Sequence, residues 1–442
     1  MARFGSVLVV LAALAVGSLA PAQDRDIKVR GDKARVAAGG EWVYDNLESG
    51  LAEAKKTGKP LFVVLRCIPC DACRGLDDKV VVRDDKIASL MPQFVCVRII
   101  KGNGLDLSLF EFDYDLSFYA FFLNADRTVY GRFTSLSART DAPEVSLEGL
   151  HQAMIGALAL HKSYPANKEL LAGKTPTRAP KYATPEQMPT LKGKYKSELD
   201  FEGKVAQSCI HCHQIRDAQR REIRDAKVHL SDEVLYPWPM PDVVGLTLDP
   251  RKQATVEAVV SGSTAAQVGF RVGDQITKIR GQQPISVADV QWALHNAPEP
   301  TKIEVAVKRA NGDSATLTLP LNSGWRRGSD LSIRPTTWDL RRMAFGGVRF
   351  NELTPEERAK LKLKDDELGL LLKHVGQYNE HAGAKNAGFQ AGDILISIDG
   401  STARRTESQL IAESVQKHLP GDKRKAVVLR GEKRLELMLP VN

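Results

Sequence analysis

The strongest constraint on how this chain folds is an internal repeat. Ala265, Gly269-Phe270, Gly273-Asp274, Ile279 and Gly281 recur 119 residues later as Ala384, Gly388-Phe389, Gly392-Asp393, Ile398 and Gly400. Seven identities at one offset within seventeen residues make two copies of one domain the simplest account. The pattern has a physical reading. Its first Gly closes a short helix in the left-handed conformation, the Phe then turns into the core, and Gly-Asp makes a tight turn into a strand. The copies are placed at residues 241–322 and 343–442. The 442-residue length leaves room upstream for further domains.

The start of the chain reads as an export signal. Arg3 supplies a positive flank, Val7 to Val16 form an unbroken apolar run, and Ala20-Pro21-Ala22 is an A-x-A cleavage site. A signal peptide over residues 1–22 predicts a mature chain starting near Gln23. The run is about half the roughly 20 residues that a spanning helix needs, and no later segment is apolar enough to span. The expectation is an exported, periplasmic location for a soluble mature chain. The net charge of +8 is spread along the chain without a dense basic block, so nucleic acid is not an expected partner.

Residues 38–165 alternate helix-like and strand-like stretches. Asn46 to Lys56 has Leu47, Leu51 and Ala54 at helical spacing. Leu61 to Leu65, Phe94 to Ile100 and Tyr119 to Leu123 read as buried strands. Residues 166–200, rich in Lys and Pro, read as a linker. Residues 201–240 form a short charged segment built around a helix from Gln214 to Lys227, ending in the rigid Tyr236 to Pro241 entry. The acidic stretch Glu111 to Asp115 reads as a solvated turn. Trp325 and Trp338 read as inter-domain packing.

The six cysteines fall mostly into tight groups: Cys67, Cys70 and Cys73; Cys209 and Cys212; and a lone Cys96 in an apolar strand, which reads as core. In an exported chain such C-x-x-C groups point to redox chemistry, metal or haem. Cys209-Ile210-His211-Cys212-His213 matches the attachment site of c-type cytochromes. There two thiols add across the haem vinyl groups and the adjacent His becomes the proximal iron ligand. On this reading Cys209 and Cys212 hold a covalent haem c, His213 binds its iron, and Met240 or His229 supplies the distal ligand. A zinc site and a structural disulfide stay open as alternatives.

Two family resemblances follow from the remaining residues. Lys59-Pro60-Leu61-Phe62-Val63-Val64-Leu65 leading to Cys70-Asp71-Ala72-Cys73 resembles thioredoxin-like proteins, in which a strand ends at a C-x-x-C that starts a helix. The resemblance implies Cys70 as nucleophile and Cys73 as resolving thiol. No proline stands near Phe118, where the family has its cis-proline, and Cys67 adds a third thiol, so metal binding and a structural disulfide remain open. The repeat resembles the PDZ domains of HtrA-type exported proteases. That implies capture of peptide C-termini by backbone N–H groups of a glycine loop, at Val244-Gly245-Leu246-Thr247 in the first copy and Gly346-Gly347-Val348 in the second. No Gly-x-Ser-Gly-Gly-like segment lies upstream, so protease activity does not carry over.

The fold class expected is multi-domain α/β and mostly-β: a thioredoxin-like domain, a short helical haem-attachment segment and two PDZ-type domains. The function expected is exported redox or electron transfer with recruitment of peptide C-termini. A PDZ adaptor with structural thiols, and a thiol-disulfide oxidoreductase for exported proteins, are the alternatives.

Overall fold

The computed structural model describes residues 20–66, 68, 84–116, 118–134, 146–176, 178–332 and 334–442. The apolar run Val7 to Val16 and the thiols Cys67, Cys70 and Cys73 lie outside them.

A five-stranded sheet forms the first layer: β1 (Trp42–Tyr44), β2 (Leu61–Arg66), β3 (Val95–Ile99), β4 (Phe118–Leu123) and β5 (Val129–Thr134). Its order is β1-β3-β2-β4-β5. β3 pairs in parallel with β1 and β2, while β4 is antiparallel to both β2 and β5. Every residue of β2 to β5 is buried, which is why these strands read as continuous apolar runs. The helix Leu47–Thr57 starts where Asn46 accepts from Ser49 N–H and stops at Gly58, in the left-handed region at φ 69°. Cys96 is buried in this domain, as expected.

Two expectations for this half need correction. The helix Ala20–Gly39 docks on the sheet ahead of the expected boundary at residue 38. Its Asp32 accepts from Arg98 Nη2 at 2.8 Å and from Tyr44 Oη at 2.9 Å. Residues 166–200 are no free linker either. Leu171, Lys174, Met188 and Leu191 are all buried, because single apolar side chains on short helical turns are enough to seat the segment in the clusters of the first domain.

The first repeat contains β6 (Leu246–Leu248), β7 (Val256–Val259), β8 (Gln275–Ile279), β9 (Thr301–Lys308) and β10 (Ser314–Leu321), with the helix Val287–His295 between β8 and β9. The second contains β11 (Val348–Glu352), β12 (Leu370–Val375), β13 (Ile394–Ile398), β14 (Lys423–Arg430) and β15 (Lys433–Pro440), with the helix Glu407–Lys417 between β13 and β14. Its strands run in the order β11-β12-β13-β14-β15.

The repeated residues do the same work twice. Ala265 and Ala384 are fully buried, and Phe270 and Phe389 lie in the cores. Gly269 and Gly388 sit at φ 92° and 95°, a region that only glycine enters at low cost. Asp274 accepts from Arg271 N–H and from Arg309 Nη1, and Asp393 accepts from Gln390 N–H and from Arg430 Nε. The two arginines also donate to the carbonyls of Gly269 and Gly388. This arginine falls outside the repeat's common offset, because it stands 121 residues apart in the two copies.

The first repeat packs straight onto the first domain. Arg132 N–H and Ile285 N–H both donate to Asp289, which also takes Lys174 Nζ at 3.1 Å. Close approach is possible because Gly149 has no side chain: a Cβ there would lie 2.1 Å from the Pro250 carbonyl oxygen.

Candidate functional site

The helix Cys212–Asp225 begins inside the C-x-x-C-H motif, with His211 as its N-cap residue. The approach to it is clamped on the first domain. Ile210 N–H donates to Asn103 Oδ1 at 2.7 Å, and the Ile210 carbonyl accepts from Gly102 N–H at 2.8 Å. The Asn103 amide also donates to the carbonyls of Lys196 and Ser208. A Cβ at residue 102 would lie 2.8 Å from the Ile210 oxygen, so Gly102 permits this contact.

Cys209 and Cys212 are both free thiols. Cys209 is 4% exposed and packs with Val29, Ile68, Ile100, Leu199 and Val205. Ile68, the one described residue between Cys67 and Cys73 in the sequence, is part of that cluster. Cys212 is partly buried against the main core of the first domain. Burial lifts both thiols to about 12, which leaves them neutral and poorly nucleophilic near pH 7. His213 is exposed, and its ring stacks on His211 with centroids 5.5 Å apart. Burial, then the neighbouring His213, lowers His211 to about 4. Among the described residues no three His, Cys, Asp or Glu side chains converge as a metal site.

The helix itself lies between domains. Ile215 and Ala218 enter the core of the first domain. On its other side Arg221 forms a bidentate pair with Asp339, at 3.1 and 2.7 Å, and Arg224 Nη1 donates to the His418 carbonyl. Arg220 donates to Thr336 Oγ1 at 2.7 Å. A groove of about 580 Å³ runs beside it, lined in part by Leu107, Tyr114, Tyr182, Met188 and Ile223. Met188 was not singled out in the sequence. Its only trace there was a lone apolar residue in a polar stretch.

Met240 is not brought to the motif. It packs on the core of the first repeat and its sulfur accepts from Gln291 Nε2 at 2.8 Å. The expectation that it reaches the iron as distal ligand is corrected by that placement. His229 is exposed, beyond the end of the helix.

The acidic stretch is no solvated turn. Asp113 and Asp115 are buried, and Phe112 and Tyr114 join the core. Arg334 Nη1 donates to both oxygens of Asp113 at 2.9 Å and to Asp115 at 3.1 Å, while its Nη2 donates to the Pro237 carbonyl. Burial opposes ionisation of Asp115, but Arg334 and Arg220 outweigh it and hold the carboxyl below its usual range. Asp217, one turn after His213, goes the other way: burial, then Asp339, raises it to about 7.

The two glycine loops differ. In the first repeat Gly245 sits at φ 86° and donates its N–H to the Asp242 carbonyl at 2.8 Å. Val244 and Leu246 are core residues and Thr247 is half-buried. In the second repeat Gly346 and Gly347 donate to the carbonyls of Arg342 and Arg341. Those bonds close the helix Thr337–Phe345 at its C-terminal end, where Gly346 sits in the left-handed region at φ 62°. Val348 is buried and paired with Val375. The expectation that Gly346 and Gly347 cradle a carboxylate is corrected: their donors already serve the helix end.

Comparison with known proteins places two of these units. Residues 42–125 match a thioredoxin-like family model and residues 241–321 match a PDZ domain model. The chain is 30% identical over 176 residues to a probable periplasmic serine endoprotease DegP-like of Pseudomonas savastanoi pv. phaseolicola. The match takes in 40% of this chain and 34% of that protein, so the chain spans about a third of the length of this curated relative. Two solved structures with similarity are the HtrA-type protease AlgW with decapeptide and the same protease with tripeptide. The first is 19% identical with a TM-score of 0.21, over 32% of this chain and 48% of that one. The second is 19% identical with a TM-score of 0.22, over 42% and 59%.

Proposed function

We propose that the chain is an exported, periplasmic redox protein. In this reading residues 209–213 carry a covalent c-type haem against the thioredoxin-like domain, and PDZ-type domains recruit exported partners. The observation that carries it is the start of the helix Cys212–Asp225. Two unbridged thiols and an exposed imidazole stand there in the required order, clamped by Gly102 and Asn103.

The donor set fits the group. Thioether attachment needs reduced sulfurs, and each S–H would add across a vinyl double bond, its hydrogen passing to the other vinyl carbon. Cys209 is buried against Val29 and Val205 in the folded chain, so a thioether there would have to form with that cover open. His213 would hold the iron, and Asn103 keeps the loop from moving when it does. Bound haem supplies one-electron transfer. Ile68 in the Cys209 cluster supports exchange between this centre and a Cys70–Cys73 dithiol, the thiols themselves lying outside the described residues. We read the second repeat as PDZ-type because it repeats the glycine, Asp–Arg and helix placements of the first.

For recruitment, the first repeat is the site we assign. A peptide would add as a strand beside β6, its carboxylate meeting the backbone that follows Gly245, whose own N–H is held by the Asp242 carbonyl. Amidating the peptide should weaken binding about tenfold or more, the loss of a charge-assisted hydrogen bond; equal binding of free and amidated peptide refutes this part.

The haem is tested by expressing the chain in a host able to attach it. Denatured protein should keep a haem-stained band at full mass, lost in the double variant Cys209→Ser, Cys212→Ser. Colourless wild-type protein overturns the reading.

A further inference from the structure

The second repeat has a groove of about 1000 Å³ between β11 and the start of the helix Glu407–Lys417. It is bordered by Arg349, Asn351, Glu407 and Ser408, and by Ser329, Asp330 and Ser332 of the chain that joins the two repeats. β11 lies at the edge of its sheet. An edge strand beside a helix is where an extended peptide adds to such a domain. Here both faces of that opening are already engaged by the chain itself.

The edge is met first. Phe350 N–H donates to Glu407 Oε1 at 2.7 Å, and Glu407 is held by Arg341 Nε at 2.9 Å and Nη2 at 2.5 Å. A carboxylate oxygen thus stands where the carbonyl of an added strand would accept. The joining segment forms the opposite wall, with Leu331 seated beneath it. Leu331 N–H and Ser332 N–H donate to Ser408 Oγ at 2.8 and 3.2 Å, and the Ser408 hydroxyl donates to Asp330 Oδ1. Thr337 Oγ1 donates to the Leu331 carbonyl. Leu331 is fully buried, in the cluster that holds Phe350 of β11 and Leu410 and Ile411 of the helix. A surface connector has no need to bury a leucine between strand and helix of the next domain. That is how a bound peptide would be held.

We propose that the segment Asp330–Ser332 is an internal occupant of the second repeat's peptide groove, so that this groove is a latent site, shut by the chain itself. The proposal rests on reading the second repeat as a peptide-binding domain. The external ligand it would admit is an extended segment presenting one aliphatic side chain to the place of Leu331. Opening has a reach beyond the repeat. Four residues past Asp330, Arg334 grips Asp113 and Asp115, and Thr336 bonds both Asp115 and Arg220 of the motif helix. A competitor that displaces Leu331 therefore pulls on the loop before β4 and on the helix that begins at Cys212.

The test uses the full-length chain and a fluorescein-labelled synthetic peptide copying residues 328–335. Leu331→Ala vacates the side-chain place, and Ser408→Ala cuts the tether while leaving the core leucine intact. Both should bind the peptide at least about tenfold more tightly than wild type, as expected when a site shut nine-tenths of the time is opened. Unlabelled peptide should compete, and its copy with Leu331 replaced by Asp should not. Equal binding by wild type and variants shows an open groove and overturns the proposal. So does no binding by variants whose unfolding remains cooperative, which makes the segment a plain structural strap. Peptide capture at Gly245 in the first repeat is read separately, by amidation, so its failure is distinguishable from failure here.

Discussion

Asp217 shows how one side chain near the motif is tuned by what surrounds it. Burial and the nearby Asp339 raise its carboxyl from an ordinary 3.8 to about 7, and its Oδ1 has no hydrogen-bond partner. The folded state therefore holds a proton that the unfolded chain releases near 3.8. Its contribution to stability is full below that value and is lost as pH rises through about 7. Wild-type protein should lose thermal stability between pH 4 and pH 8 by an amount absent in Asp217→Asn, measured by melting at a series of pH values. A parallel loss in both proteins would refute the assignment. Asn103 illustrates the opposite case, a neutral side chain with three bonds, two of them to Ser208 and Ile210 on either side of Cys209 and one to Lys196. Nothing in its neighbours, Gly102 and Gly104, marked it in the sequence, since its partners lie more than ninety residues away.

Among the elements, the repeat unit is the most legible. Its glycines mark left-handed turns and its Asp marks a cap, and local backbone geometry is written in local residue choice. Arg309 and Arg430, which lock those turns, were not legible, because a salt bridge needs only proximity in space. Arg309→Met should destabilise the first repeat by about 1–3 kcal/mol, the range for losing hydrogen bonds to a charged group. Arg430→Met should do the same to the second. Hydrogen exchange should show each loss confined to its own copy, and spreading to the other copy would show that the lock is not local. Three strands of the first domain, β2, β3 and β4, are legible to within a residue or two, because continuous burial makes a continuous apolar run, whereas the short β1 is not. Its flanking helix Ala20–Gly39 was missed: Val29 and Val36 are buried, but most of its surface is polar.

At the scale of the whole molecule, buried charge holds the units together. Asp289 joins Lys174 and the backbone of β5 across the contact between the first domain and the first repeat, and Lys174 has no exposed surface. Asp289→Ala strands that ammonium group, at a cost of about 3–5 kcal/mol, and adding Lys174→Met should recover much of it. Urea unfolding of the single and double variants checks this; an equal loss in both would place the stability elsewhere.

From residue order alone come the repeat, the strand runs and the C-x-x-C-H spacing, each a pattern set by neighbours along the chain. Tertiary structure decided which of them meet. It put Ile68 beside Cys209, turned Met240 into the first repeat, buried Asp113 and Asp115 under Arg334, and seated Leu331 in the second repeat. Those pairings lie far apart in sequence, and their energies depend on desolvation and distance, quantities that exist only once the chain is folded.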